Sequence, residues 1–205
     1  MGQVVLQPTE GDAKDTYIDK DNPTSSNATS ASLYFGQDND PKASDHTYRT
    51  LIGWDMSAIP AGSIILSTSK LELYVVGGFG AAWEWTIHRI TEALWTESCT
   101  WNQYDFNSNP ALNQWATAGG DFGSPTAEFT FPSGTDVYKS FSSVDLAEFL
   151  QDALDNRGKL AEMLLKTDDE STRNFRQLDS SNGTNVPILT IDFIPPGVKS
   201  YVYIS

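Results

Sequence analysis

The chain has 205 residues, enough for one well-buried core and short for two. An apolar fraction of 39% with 12% aromatic residues excludes a disordered chain, and the weight of Thr, Val and aromatics over Ala/Leu/Glu/Lys runs points to sheet. Thirteen basic residues against 27 acidic ones give a formal net charge of −14, which repels phosphate and sets nucleic acid and anionic membranes aside as partners.

Met1 to Gly11 is uncharged except for Glu10, ends in turn formers and reads as an arm. It lacks the basic region and apolar run of a secretory leader, so synthesis in a reducing cytoplasm is expected. The single Cys99 permits no intrachain disulfide. Asp15 to Asp19 (DTYID) alternates as a strand, with Tyr17 on one face and Thr16 and Ile18 on the other. A polar loop leads into SLYFG (Ser32 to Gly36). A second polar stretch, QDNDPKASDHT, is expected on the surface. Tyr48 to Met56 (YRTLIGWDM) is a strand candidate closed by Pro60-Ala61-Gly62. Ser63 to Val76 follows as another, ended by Gly77-Gly78-Phe79-Gly80, and Glu84 to Thr91 is its partner.

Ser142 to Gly158 breaks the pattern. Leu146, Phe149, Leu150, Ala153 and Leu154 recur at helical spacing, Ser142 and Asp145 pair as a cap, and Gly158 is the stop. The spacing predicts one short helix at about 143–157. Strands return at Glu162 to Thr167, around Asn174 to Leu178, and at Pro187 to Phe193. Pro195-Pro196-Gly197 ends the sheet, and Tyr201, Val202, Tyr203 and Ile204 alternate beyond it. The expected architecture is an all-β, jelly-roll-like sandwich at 12–194 with that helix, flanked by arms at 1–11 and 195–205. The last segment either folds back on its own sheet or pairs with a neighbouring subunit. No stretch reaches the ~20 apolar residues of a membrane helix.

Little here suggests catalysis. His46 lies in a polar loop and His88 sits mid-strand, neither beside a nucleophile motif, so no enzyme is expected. No phosphate loop, zinc spacing or EF-hand loop is present, and no cofactor is expected. A structural calcium stays open, with Asp19, Asp21, Asp38, Asp40, Asp168 and Asp169 as ligand candidates and solvated loop acids as the favoured alternative. Trp83 and Trp85 flank Glu84, and Trp115 lies in a Gly/Asn-rich loop near Tyr104 and Phe106. Such flat side chains stack on sugar faces, although burial is the default for Trp.

RTLIGWDMSAIPAGS (Arg49 to Ser63) and IHRITEALWTESCTWN (Ile87 to Asn102) resemble the DNRLRE-domain family, also treated as a carbohydrate-binding-module family. DTYID, LYFG, WATAGGDFG (Trp115 to Gly123) and the closing LLK…DDES…PILTIDF extend the resemblance, in order, from Lys14 to Phe193. It implies a jelly-roll-like sandwich with a non-catalytic role. It also implies packing positions for Trp54, Trp95 and Trp101, and a buried, inert Cys99 where family members commonly carry a small apolar residue. Two functions are expected. The first is a phage virion decoration, fibre or tail component on the virion surface, with Tyr201, Val202, Tyr203 and Ile204 as its assembly arm and other structural subunits, itself included, as partners. The second is an extracellular polysaccharide-binding module using Trp83, Trp85, Trp115 and Tyr104.

Overall fold

The computed structural model describes residues 1–7, 13–39, 45–92, 94–109 and 111–197. Among these residues twelve strands and one helix form in chain order. They are β1 (Gly2–Leu6), β2 (Ala13–Asp19), β3 (Ser32–Asn39), β4 (Asp45–Asp55), β5 (Ile64–Ile65), β6 (Lys70–Phe79), β7 (Trp83–Ile90), β8 (Phe122–Phe131), β9 (Val137–Phe141), α1 (Val144–Asn156), β10 (Leu160–Thr167), β11 (Asn174–Asp179) and β12 (Ile188–Ile194). Every pairing is antiparallel. The strands make one curled sheet in the order β1-β12-β6-β11-β3-β4-β10-β7-β8, with β2 added to β4, β5 to β12 and β9 to β6. This is the all-β, sandwich-like architecture with one short helix that the sequence predicts.

The half built from β2, β4, β10 and β7 packs apolar side chains on both faces. Ile52, Trp54, Met163 and Leu165 point into the main core, with Leu33, Phe35, Leu71, Leu73, Trp85, Phe131 and the apolar side of α1. Their chain neighbours Leu51 and Leu164, with Ile18 and Ile90, point the other way into a second cluster. Its cover is supplied by Trp95, Cys99, Trp101 and Trp115, all from the strand-poor segment between β7 and β8. Sandwiched strands lose the polar alternation of a half-exposed sheet, as in Leu51-Ile52-Gly53-Trp54 of β4 and Met163-Leu164-Leu165 of β10.

That third layer has no ladder to hold it, so charged side chains peg it to the strands. Arg49 of β4 forks onto Glu170 through Nε and Nη2, both at 2.8 Å, while Nη1 donates to the Gly119 carbonyl. Its guanidinium also lies 4.7 Å from the centroid of Trp101. Lys14 of β2 sits 4.1 Å over the Trp95 ring, donates to the Trp95 carbonyl at 2.8 Å and pairs with Glu162 at 2.7 Å.

Where the sheet curls, β11 threads between two glycines. A Cβ on Gly36 of β3 (φ +105°) would lie 2.0 Å from the Asn174 carbonyl oxygen, and one on Gly78 of β6 (φ +147°) 2.4 Å from that of Phe175. Only a residue without a side chain allows this approach. The register shift between Gln177 and Leu178 falls at the same bend.

Helix α1 starts one residue later than the capping pair suggests. Ser143, not Ser142, accepts the Leu146 N–H at 3.0 Å, and the positive φ of Gly158 follows the helix end. Arg89 of β7 lies 4.6 Å over Phe149 and pairs with Asp152 at 2.9 Å, tying the helix to the sheet.

Several elements depart from the sequence reading. The segment 1–11, read as an arm, contains β1, whose Val4 and Leu6 pack on the main core. Ser63 to Val76 is not one strand: Ser69 turns back to the Leu66 carbonyl, and Thr68 and Ser69 bond Asp192 instead. The QDNDPKASDHT stretch is partly sheet, with buried Gln37 and Thr47 hydrogen-bonded to each other. Strands β8 and β9 are not signalled; β8 carries Pro125, tolerated because β8 ends the sheet path.

Leu51→Ala and Ile52→Ala test the two-sided burial. Each is expected to cost about 2–5 kcal/mol by chemical denaturation. In a strand with one wet face, one of the pair would stay within about 0.5 kcal/mol of wild type.

Candidate functional site

Asp19 of β2 and Gly36 of β3 both pair with Tyr48 of β4, from opposite edges. Period-two alternation then brings Tyr17, Asp19, His46 and Tyr48 to one neighbourhood, and Tyr34 of β3 joins them. The Tyr17, Tyr34 and Tyr48 rings sit at centroid distances of 5.0, 5.3 and 5.8 Å, and His46 stacks on Tyr48 at 5.3 Å with a 4° interplanar angle. All three tyrosines are half-buried. Burial, then the nearby Asp19 and Asp38 charges, pushes the Tyr48 phenol up; burial and Tyr34 do the same for Tyr17. The three rings offer apolar faces beside carboxylates, an arrangement that suits a polyhydroxylated ligand.

Of the calcium candidates, Asp19 and Asp21 come together with His46, with ligand atoms within 4.8 Å of one another. The Asp19 carboxylate already accepts from Asn22 Nδ2 at 2.6 Å, the Asp21 N–H at 3.0 Å and His46 Nδ1 at 2.9 Å. Calcium takes six to eight oxygens, and this group supplies two carboxylates and a nitrogen. Asp38 lies outside the group and is engaged by Arg173 at 3.0 Å. Asp40 falls outside the described residues. Asp169 accepts from the Ser171 hydroxyl and N–H, and those bonds, with those from Thr172, hold its carboxyl down at about 2. The group that the described residues bring together is thus a mixed one, with a nitrogen among its ligand atoms.

The tryptophans expected to form a sugar platform do not form one. Trp85 is fully buried among Phe35, Phe129, Phe131 and Phe141, and Trp115 is 5% exposed with its Nε1 donating to the Thr100 carbonyl. Trp83 is half-buried against Phe35, Phe131 and the Arg176 guanidinium, and Tyr104 donates to Asn113 while packing on Trp115. Core packing outcompetes display at these positions. Trp54, Trp95 and Trp101 are buried as expected. So is Cys99, whose thiol burial pushes up. His88 Nδ1 faces the Gly123 carbonyl at 2.9 Å and Nε2 the Thr86 hydroxyl at 3.0 Å, and burial holds the ring's pKa down.

A second place of interest lies where the start of β1 meets the end of β12. Gly2 pairs with Phe193, Ile194 pairs with Ile64, and a Cβ on Gly62 would lie 3.8 Å from Pro196. Met1 and Gly197 therefore leave the sheet at one corner. An apolar groove of about 370 Å³ opens beside it, lined by Ile64, Ile65, Leu66, Val144 and Ala147 with Glu148 and Gln151. The expected arm residues Tyr201, Val202, Tyr203 and Ile204 lie outside the described residues.

No protein-family model matches the chain and no curated protein matches it significantly, so the DNRLRE likeness rests on the quoted segments alone. What the fold defines is a class: an all-β, sandwich-like domain with one sheet half covered on both sides.

Asp15, two residues before Tyr17 on β2, is 1% exposed and accepts from the Ser181 N–H and hydroxyl, both at 2.7 Å. Burial pushes its carboxyl up to about 6, Ser181 pulls back, and Glu97 adds to the rise. The native state keeps this proton where the unfolded chain has released it. Stability tied to Asp15 is therefore full below about pH 4 and is lost as the pH rises through about 6. Urea titrations should show Asp15→Asn gaining on wild type by roughly 2–3 kcal/mol between pH 4 and pH 7. A constant difference across that range would remove the assignment.

Proposed function

We propose that this domain is a non-catalytic assembly module, a repeated structural component of a larger particle, of which a virion decoration, fibre or tail subunit is the best example. The observation that carries the reading is the shared corner. β1 supplies a five-residue strand whose outer edge has no ladder partner among the described residues. Val5 there is 54% exposed. Beside it lie the exit of the last eight residues and an open apolar groove. Strands and apolar segments near an open edge give main-chain pairing between subunits without a large flat interface. The net charge of −14 keeps free subunits apart until such specific contacts form. Deletion of residues 198–205 should abolish incorporation into particles, read by electron microscopy of material from the native source. Normal incorporation of the shortened chain would defeat the reading.

A second reading, glycan binding, draws on the Tyr17–Tyr34–Tyr48 cluster with Asp19, Asp38 and His46 beside it. Clustered aromatic rings next to acceptors are what a sugar's apolar face and hydroxyls ask for. Affinity electrophoresis through neutral and acidic polysaccharides should retard the wild-type chain, and Tyr34→Ala, checked for folding by circular dichroism, should run free. No retardation of wild type across a broad panel would end this reading.

A further inference from the structure

The sheet path ends in β1 on one side and β8 on the other, and the two edges are built differently. β8 is blunted. Pro125 removes a main-chain donor, Glu128 adds a charge, and the β7–β8 register shifts twice, between Ile87 and His88 and between His88 and Ile90. Such features keep an edge from pairing with another chain. β1 has none of them. Its register against β12 runs unbroken from Gly2 to Leu6, and GQVVL carries no proline and no charged side chain. Among the described residues no strand lies along its outer edge. Val4 and Leu6 anchor the strand on the main core, while Gln3 and Val5 are exposed.

We propose that this edge takes the β1 strand of a second copy of the chain, paired antiparallel about a twofold axis at Val4. The pairing rests on the assembly reading for its purpose, and on charge and register for its partner. Two copies that each carry a net charge of −14 repel one another, and residues 1–7, MGQVVLQ, bring no acidic side chain to the contact. Alternation restricts the register. Val4 and Leu6 stay on the core side in both copies, so core-side residues must stand opposite core-side residues. Centring on Val4 satisfies this and uses the whole strand. Val4 then faces Val4 of the second copy, Gly2 faces its Leu6, and Gln3 faces its Val5. A ladder of that length makes roughly four to six main-chain hydrogen bonds, for groups that otherwise depend on water. The contact is isologous, so it closes at two subunits and leaves no free β1 edge for further growth.

The test is sedimentation velocity on the full chain, over a concentration series into the submillimolar range. The mass should move reversibly towards that of a dimer. Gln3→Lys/Val5→Lys sets lysines opposite one another across the axis, and Gln3→Glu/Val5→Glu does the same with glutamates. Both positions are exposed, and circular dichroism checks that each variant folds. Each variant alone should dimerise on the order of 10-fold more weakly than wild type, and an equimolar mixture of the two should recover wild-type strength. Register is read by disulfides, with buried Cys99 out of the reaction. Gln3→Cys mixed with Val5→Cys should cross-link the two different positions in preference to either like pair. A wild-type chain monomeric throughout, a mixture no stronger than its parts, or a preference for like cross-links would overturn the proposal. A monomer whose incorporation into particles still needs residues 198–205 would sink the β1 pairing alone. A β1 dimer in a chain that incorporates without them would keep this contact and sink the assembly reading as drawn from the last residues.

Discussion

The sheet half that carries β4 and β10 is buried on both faces, and most of the remaining design follows from it. A strand with two dry faces cannot place its charges outward, so each charge near it must find a partner. Lys14 reaches Glu162 and the Trp95 carbonyl, and Arg49 forks onto Glu170 and reaches Gly119. Each of these side chains also touches a ring of the outer layer, over Trp95 and Trp101 respectively. The same contacts that neutralise the charges hold an irregular segment flat against the strands. Desolvated pairs of this kind add modestly to stability, but losing one partner leaves a costly unpaired charge, so they fix one arrangement.

Asp15 and Arg176 show the same constraint under strain. Arg176 is 3% exposed and spends its Nη donors on the carbonyls of Phe175, Phe79, Gly80 and Ala81, the last three at the β6–β7 connection. Its charge is balanced by backbone dipoles and the faces of Trp83 and Phe131. Asp15 is met by the Ser181 N–H and hydroxyl, and Glu97 works against it. A strongly acidic protein has kept one buried carboxylate where it costs stability near neutrality, and that carboxylate ties β2 to the β11–β12 connection.

The sequence made the strands with clear alternation or dense apolar runs legible, together with the helix. β2, β4, β7, β10, β11 and β12 fall within a few residues of expectation, because burial of one or both faces writes itself into residue choice. β1, β8 and β9 are short or terminal elements of the sheet, and Pro125 disguises β8 further. The tryptophans misled for a physical reason: Trp85 and Trp115 carry the same apolar area whether they bind a sugar or fill a core, and only register decides which. Register also hid the tyrosine cluster. Tyr17, Tyr34 and Tyr48 are far apart in sequence and meet only because β2 and β3 flank the same stretch of β4.

The antiparallel pairing of β1 with β12 has a mechanical consequence. Gly2 faces Phe193 at the end nearer Met1 and Gly197, and Leu6 faces Leu189 at the far end. Tension between Met1 and Gly197 would open these pairs one at a time, as a zipper opens, without shearing them together. The first strand would come away under small force while the doubly covered half of the sheet stayed shut. A subunit attached through its termini would therefore have a soft first response to load and a stiff second one, with β1 as the link that yields.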